Sequence, residues 1–150
     1  MVSGPKLLKD EQELSVSEIR WTDVLDIGLP KLDEQHKGLI ALSNDLILAM
    51  DRGKGTDVLH SLFKKLKNYT IYHFFDEEEY MRLIGYPEID EHREAHRVLT
   101  EKVNDFEARL QNNQSVAPAE ALDFINGWII WHIMEMDSLI GIYVRKSESV

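Results

Sequence analysis

The 150-residue chain contains no cysteine. Disulfide scaffolding, iron–sulfur ligation and thiol catalysis are therefore excluded, and any metal must be held by His, Asp, Glu or backbone oxygen. A long uninterrupted apolar run is also missing. The most apolar stretch, residues 121–144, is broken by Asp123, His132, Glu135 and Asp137. A membrane span needs roughly 20 mostly apolar residues, so this stretch reads as a buried helix and no membrane insertion is expected. Nor is there any basic excess. The formal net charge of −10 repels phosphate backbones, which argues against a nucleic-acid partner. The N-terminal residues carry neither a sustained apolar core nor a small-residue cleavage site, so they do not read as a signal peptide, and the expected location is the cytoplasm. No Ser/His/Asp triad, phosphate-binding loop or free acidic pair suggests substrate chemistry, and an enzyme is not expected.

What the chain does have is helical periodicity. Leu39, Leu42, Leu46 and Met50 recur at steps of three and four after Asp33, a good N-cap residue, and Gly53-Lys54-Gly55 closes the pattern. Leu59, Leu62, Phe63, Leu66, Tyr69, Tyr72 and His73 mark a second helix over about 56–84, which Gly85-Tyr86-Pro87 breaks. A third is expected over about 88–110, then a polar loop, then a fourth from Pro118 to about Arg145. Short connections make neighbours antiparallel. The expected fold is all-α, an up-down-up-down antiparallel four-helix bundle over residues 21–145, with an N-terminal extension at 1–20 and a tail at 146–150.

The chemistry lies in the histidines. There are six, and each expected helix carries at least one. His73 and Glu77 are four apart, as are His92 and His96, and a four-residue step nearly returns to the same helix face. Each pair can aim two ligands at one point inside the bundle. His73 and His132 sit in apolar stretches, where an imidazole costs free energy unless it is hydrogen-bonded or metal-bound. Taken singly, each feature has a duller explanation. A lone His on an apolar helix is more often a hydrogen-bonded core residue. His-x-x-x-Glu pairs arise by chance on charged helices, and the acidic run 76–79 would ordinarily be a solvated face. Five histidines and two carboxylates spread over four helices are much harder to dismiss together. His60, thirteen residues before His73 and thus about 220° around the helix, should face solvent. Asp137 is five residues after His132, about 140° around a regular helix, so spacing alone prefers Glu135 or Met136 as the inward neighbour. Asp137 would need a local distortion such as a π-bulge, or would have to reach around.

These residues together resemble the hemerythrin family, and its bacterial members in particular. The resemblance rests on Trp21 with Leu32-Asp33-Glu34-Gln35-His36 and on His73-Phe74-Phe75-Asp76-Glu77-Glu78 with Met81. It continues through Gly85-Tyr86-Pro87, His92-Arg93-Glu94-Ala95-His96 and the segment from Trp128 through His132 to Asp137. It spans about residues 21–142. It implies two iron ions, with His92, His96 and His132 on one and His36 and His73 on the other. Glu77 and Asp137 bridge them together with an oxo or hydroxo group, and this favours Asp137 over its neighbours. The three-His iron is then six-coordinate and the two-His iron five-coordinate, leaving an open position where dioxygen binds reversibly as peroxide. Storage, delivery or sensing of oxygen follows as the expected role, either free-standing or beside a fused or partner signalling domain. Phe74, Trp128, Ile129 and Ile133 are the candidate apolar wall that keeps water and protons from the bound gas. Ordinary core packing is an equally good account of any one of them. Ile129 departs from the family's usual leucine and is stiffer at Cβ. The alternatives are a di-iron oxidase or peroxidase, a nitric-oxide sensor and an iron-responsive module. Ferritin-like oxidases use carboxylate-rich sites with a Glu-x-x-His pair that this chain lacks.

Overall fold

The computed structural model describes residue 21 and residues 25–148, and among them there are only helices and turns. Helix α1 (Pro30–Asp51), α2 (Gly55–Ile84) and α3 (Ile89–Gln111) are joined by short turns. A fourth rod follows. It begins as α4 (Pro118–Phe124), passes through π-helical turns at Ile125–Ile130 and Ile133–Asp137, and ends as α5 (Ser138–Glu148). Its α1 face meets α4 and the first π turn, while α2 packs between α1 and α3. The result is the expected antiparallel four-helix bundle. No helix among the described residues is long and apolar enough to cross a membrane. The extension at 1–20 lies outside the described residues.

Local chemistry explains the ends. Gly85 closes α2 in a left-handed conformation (φ 67°), and the Tyr86 N–H donates to the Met81 carbonyl at 2.9 Å, the closing bond of a Schellman turn. Helix α1 starts at Pro30, three residues before the expected cap, because proline is pre-set for the first helical turn. Asp33 is not the cap. Its buried carboxylate reaches back from inside the helix and accepts from the N–H groups of Ile27 (2.9 Å) and Leu29 (3.1 Å), fixing the incoming loop. Burial pushes the Asp33 carboxyl above its usual range, against the Ile27 hydrogen bond. Helix α5 runs on to Glu148, past the expected end near Arg145. There the lead-in loop meets it: Arg145 donates to the Ile27 carbonyl at 3.2 Å beside Gly141.

The core is in two parts. The larger includes Leu39, Leu46, Phe63, Leu66, Val103 and Ile125. The smaller, at the opposite end, is Met81, Tyr86 and Ile140. On α2, Glu77 falls between Phe74 of the larger cluster and Met81 of the smaller, and on the fourth rod Asp137 falls between Ile133 and Ile140. The bundle therefore carries a polar layer with apolar packing above and below it.

Candidate metal centre

Seven side chains meet in that layer. His36, His73, Glu77, His92, His96, His132 and Asp137 are all buried. Burying an ionised carboxylate costs several kcal/mol even after the surroundings relax, and a whole domain is stable by only about 5–15 kcal/mol. Two carboxylates with no exposure at all therefore need strong compensation.

The geometry sorts the seven into two overlapping groups. One is Glu77, His92, His96, His132 and Asp137, and the other is His36, His73, Glu77 and Asp137. Within each, one ligand atom per residue lies within 4.8 Å of all the others. The carboxylates belong to both groups, and their two oxygens divide between them. Glu77 Oε1 is 3.0 Å from His92 Nε2 and 2.9 Å from His96 Nε2, while Oε2 is 3.5 Å from His36 Nε2 and 3.7 Å from His73 Nε2. Asp137 Oδ1 is 2.8 Å from His92 Nε2 and 3.0 Å from His132 Nε2, while Oδ2 is 2.9 Å from His36 Nε2. Each carboxylate thus spans both groups of imidazoles.

These short distances do not satisfy the atoms. His36 Nδ1 and Nε2, Glu77 Oε2 and both Asp137 oxygens are buried without an aligned hydrogen bond. His132 Nε2 and His92 Nε2 face one another at 3.1 Å. Buried polar atoms of native proteins are almost always paired, and orphans concentrated at one point mark a missing partner. Five imidazole nitrogens and two carboxylates are a donor set suited to first-row divalent metals, so the residues fit a two-metal centre.

The protons respond to the same crowding. Burial alone would lower His36, but the short contacts with Asp137 and Glu77 outweigh it and raise the imidazole to about 10. His92 is likewise carried to about 9 against the effect of burial, by Asp137 and Glu77, and His96 moves in the same direction. His73 is farther from the carboxylates, and burial wins there, pushing it down to about 4. Burial would raise Glu77 and Asp137, yet the surrounding imidazoles hold both below the carboxylate range.

The fourth rod explains how Asp137 comes inward. Ile125, Ile129, Ile133 and Asp137 are buried at successive steps of four. In a regular α-helix such a stripe drifts about 40° per step. The π turns widen the helix and take up that drift, so Asp137 and His132 reach the same site. The distortion that the five-residue step requires is present at Ile133–Asp137.

Of the candidate wall residues, Phe74, Ile129 and Ile133 are buried, and the Phe74 ring stacks on His96 with centroids 3.9 Å apart. Trp128 departs from expectation. It is 48% exposed, with the Lys102 ammonium 4.5 Å above its ring, and it lies outside the interior. The apolar run around His132 is split by helix geometry: the isoleucines point in, and Trp128 and Trp131 point out. His60 is exposed, as its angular position requires.

Two residues were missed. His73 Nδ1–H donates to Gln35 Oε1 at 2.7 Å, and Gln35 Nε2 donates in turn to Asp76 Oδ2 at 2.8 Å. His96 Nδ1–H donates to Glu78 Oε2, also at 2.7 Å. Both bonds fix the tautomer that leaves Nε2 free to face the centre, the arrangement usual behind metal-bound histidines. Adjacency to His36 and Glu77 was the only signal available for either.

The chain is similar to known proteins of one family. The family model described as the Hemerythrin HHE cation binding domain matches residues 28–141. A bacteriohemerythrin of Clostridium acetobutylicum is 31% identical over 121 residues, covering 78% of this chain and 94% of that protein. One from Campylobacter jejuni is 34% identical, covering 82% and 92%. A myohemerythrin of Theromyzon tessulatum is 29% identical, covering 79% and 87%. A crystal structure of wild-type hemerythrin superposes with a TM-score of 0.74 at 23% identity, over 83% of this chain and 96% of that one, which establishes the shared fold.

Proposed function

This chain belongs to the hemerythrin family, and from that premise we propose that it is a di-iron protein that binds dioxygen reversibly, for storage, delivery or sensing. One observation carries the reading: two groups of imidazoles, three on one side and two on the other, share the oxygens of Glu77 and Asp137. His92, His96 and His132 would hold one iron, and His36 and His73 the other, with both carboxylates common to the two. The two-His side has one protein ligand fewer, which leaves room for a small molecule. When bound, an iron pair supplies two electrons that dioxygen can borrow and return.

The remaining work belongs to the protein. Glu77 and Asp137 would neutralise half of the charge brought by two divalent ions. Gln35 and Glu78 hold the His73 and His96 rings with Nε2 inward. The apolar clusters on either side, with Phe74, Ile129 and Ile133 as the wall we assign, keep out water and stray protons that would make release irreversible. We take residues 21–145 as the functional unit.

The decisive experiment is an absorption titration of reduced, iron-loaded protein from anaerobic to aerobic buffer, with iron counted per chain. The expected result is two irons per chain and a visible charge-transfer band that grows with oxygen and fades when oxygen is removed. Direct, irreversible conversion to a ferric spectrum, with turnover on an added reductant, would favour a di-iron oxidase. An iron count far from two would overturn the reading.

A further inference from the structure

The two halves of the centre are backed by different chemistry. Behind His96 is a carboxylate, Glu78, at 2.7 Å. Behind His73 is a neutral amide, Gln35, at the same distance. The charges reached next also differ. Glu78 lies 3.4 Å from the Arg93 guanidinium, which is 60% exposed, so solvent screens much of that pairing. Gln35 passes its hydrogen bond to Asp76, whose other neighbour, the Lys31 ammonium, is 3.6 Å away and 75% exposed. A full negative charge thus touches the imidazole on the three-His side, and on the two-His side it stands one residue farther out. No other described histidine of the centre has an Nδ1 contact with a carboxylate.

We propose that this pair, Glu78 behind His96 and Gln35 behind His73, sets the redox asymmetry of the centre, so that the three-His metal favours the ferric state and the open two-His metal favours the ferrous state. The inference rests on the di-iron reading above. Its physical basis is the donor strength of imidazole. A carboxylate hydrogen-bonded to Nδ1–H draws that proton toward itself and makes Nε2 a stronger donor, which stabilises the more highly charged metal. An amide oxygen does so less, and the Asp76 carboxylate behind it acts only through the polarised amide. Both residues act through their histidines and touch neither metal nor ligand.

Isosteric exchange tests this with shape nearly unchanged. Iron content and the reversible oxygen band are measured first on the parent protein, and their absence would sink the proposed function itself. With both in place, Glu78→Gln should raise the first oxidation potential of the iron-loaded protein in anaerobic spectroelectrochemistry. Gln35→Glu, made together with Asp76→Asn to keep a hydrogen-bond donor opposite the new carboxylate, should lower a potential and hasten conversion to the ferric form in air. A tenfold change in the ferric-to-ferrous ratio would read as a shift of about 59 mV for one electron. Opposite signs in the two variants are the signature, since loosened packing alone would not reverse direction between them. Potentials that stay put, or shift in the same direction in both, would overturn the proposal. Should Glu78→Gln fail to retain two irons, the direction of the shift in the Gln35→Glu, Asp76→Asn variant decides alone.

Discussion

His73 is the residue on which the reading of the open side turns. It is one of two imidazoles there, and it stands farthest from the carboxylates, 3.7 Å from Glu77 Oε2. Replacing it with Ala removes one of the few protein donors on that side. His73→Ala should therefore drop iron content from two per chain toward one and abolish the oxygen-dependent band, checked by metal analysis and absorption spectra. A variant with a full oxygenated spectrum would refute the assignment. His60 is the matching control on the same helix. Its substitution by Ala should leave iron content unchanged and move stability by no more than about 0.5 kcal/mol, as expected for an exposed side chain. At this scale the sequence was informative wherever a residue's role follows from helix angle, as with His60, or from pairing at four, as with His73 and Glu77. It was silent on Gln35 and Glu78. Their partners are 38 and 18 residues away, on other helices, and no local period connects them. The acidic run 76–79 hides three roles: Glu77 fully inside, Asp76 and Glu78 at the edge, and Glu79 paired with exposed Arg82.

Among the elements, existence and most boundaries were legible, while the start of α1 and the internal geometry of the rod were not. Three helices and the rod emerged from steps of three and four because burying one apolar stripe leaves that trace in any amphipathic helix. The ends of α2 and α3 and the start of the rod at Pro118 emerged to within one residue, whereas the start of α1 did not, because Asp33, a good cap by type, spends its carboxylate on the loop before the helix. The π turns of the rod were foreseeable only as a requirement: if Asp137 points inward, the helix must widen. Nothing in the residues of Ile125–Ile130 or Ile133–Asp137 announces it, since the widening answers to the site and not to local propensity. The rod is also where the lead-in loop is pinned. A Cβ at Gly141 would collide with the Ile27 carbonyl, whose position Asp33 and Arg145 fix from either side. Gly141→Ala should therefore destabilise the protein by about 1–3 kcal/mol, the usual cost of overpacking a rigid contact. Chemical denaturation would read this directly. The midpoint should fall while the folded variant still takes up two irons, because the clash lies beyond the polar layer. An unchanged midpoint would show that the loop is free to move away.

For the molecule as a whole, a buried polar layer between two apolar clusters makes stability depend on what fills it. Without metal, protons do. His36 and His92 keep theirs to about 10 and about 9 in the folded apoprotein, against an ordinary value near 6.5. Folding favours those protonated rings, so their contribution is complete below about pH 6.5 and is lost as pH rises through 9 to 10. His73 works in the other direction. Pushed to about 4 by burial, it refuses a proton that the unfolded chain accepts, so acidification from about pH 6.5 toward 4 favours unfolding. Glu77 and Asp137, both held below the carboxylate range, contribute stability that is present above about pH 4 and lost as pH falls further. The apoprotein should thus melt at its highest temperature near neutrality and lose stability on both sides. Metal ions replace the protons of His36 and His92, and in doing so they remove the reason for the alkaline loss. Thermal melts of apo and metal-loaded protein from pH 5 to 10 should show an alkaline decline in the first that is absent from the second, and loading itself should release protons into a weakly buffered solution. An alkaline decline of equal size in both would mean that the layer is not the metal's site, because one imidazole nitrogen cannot hold a proton and a metal at once.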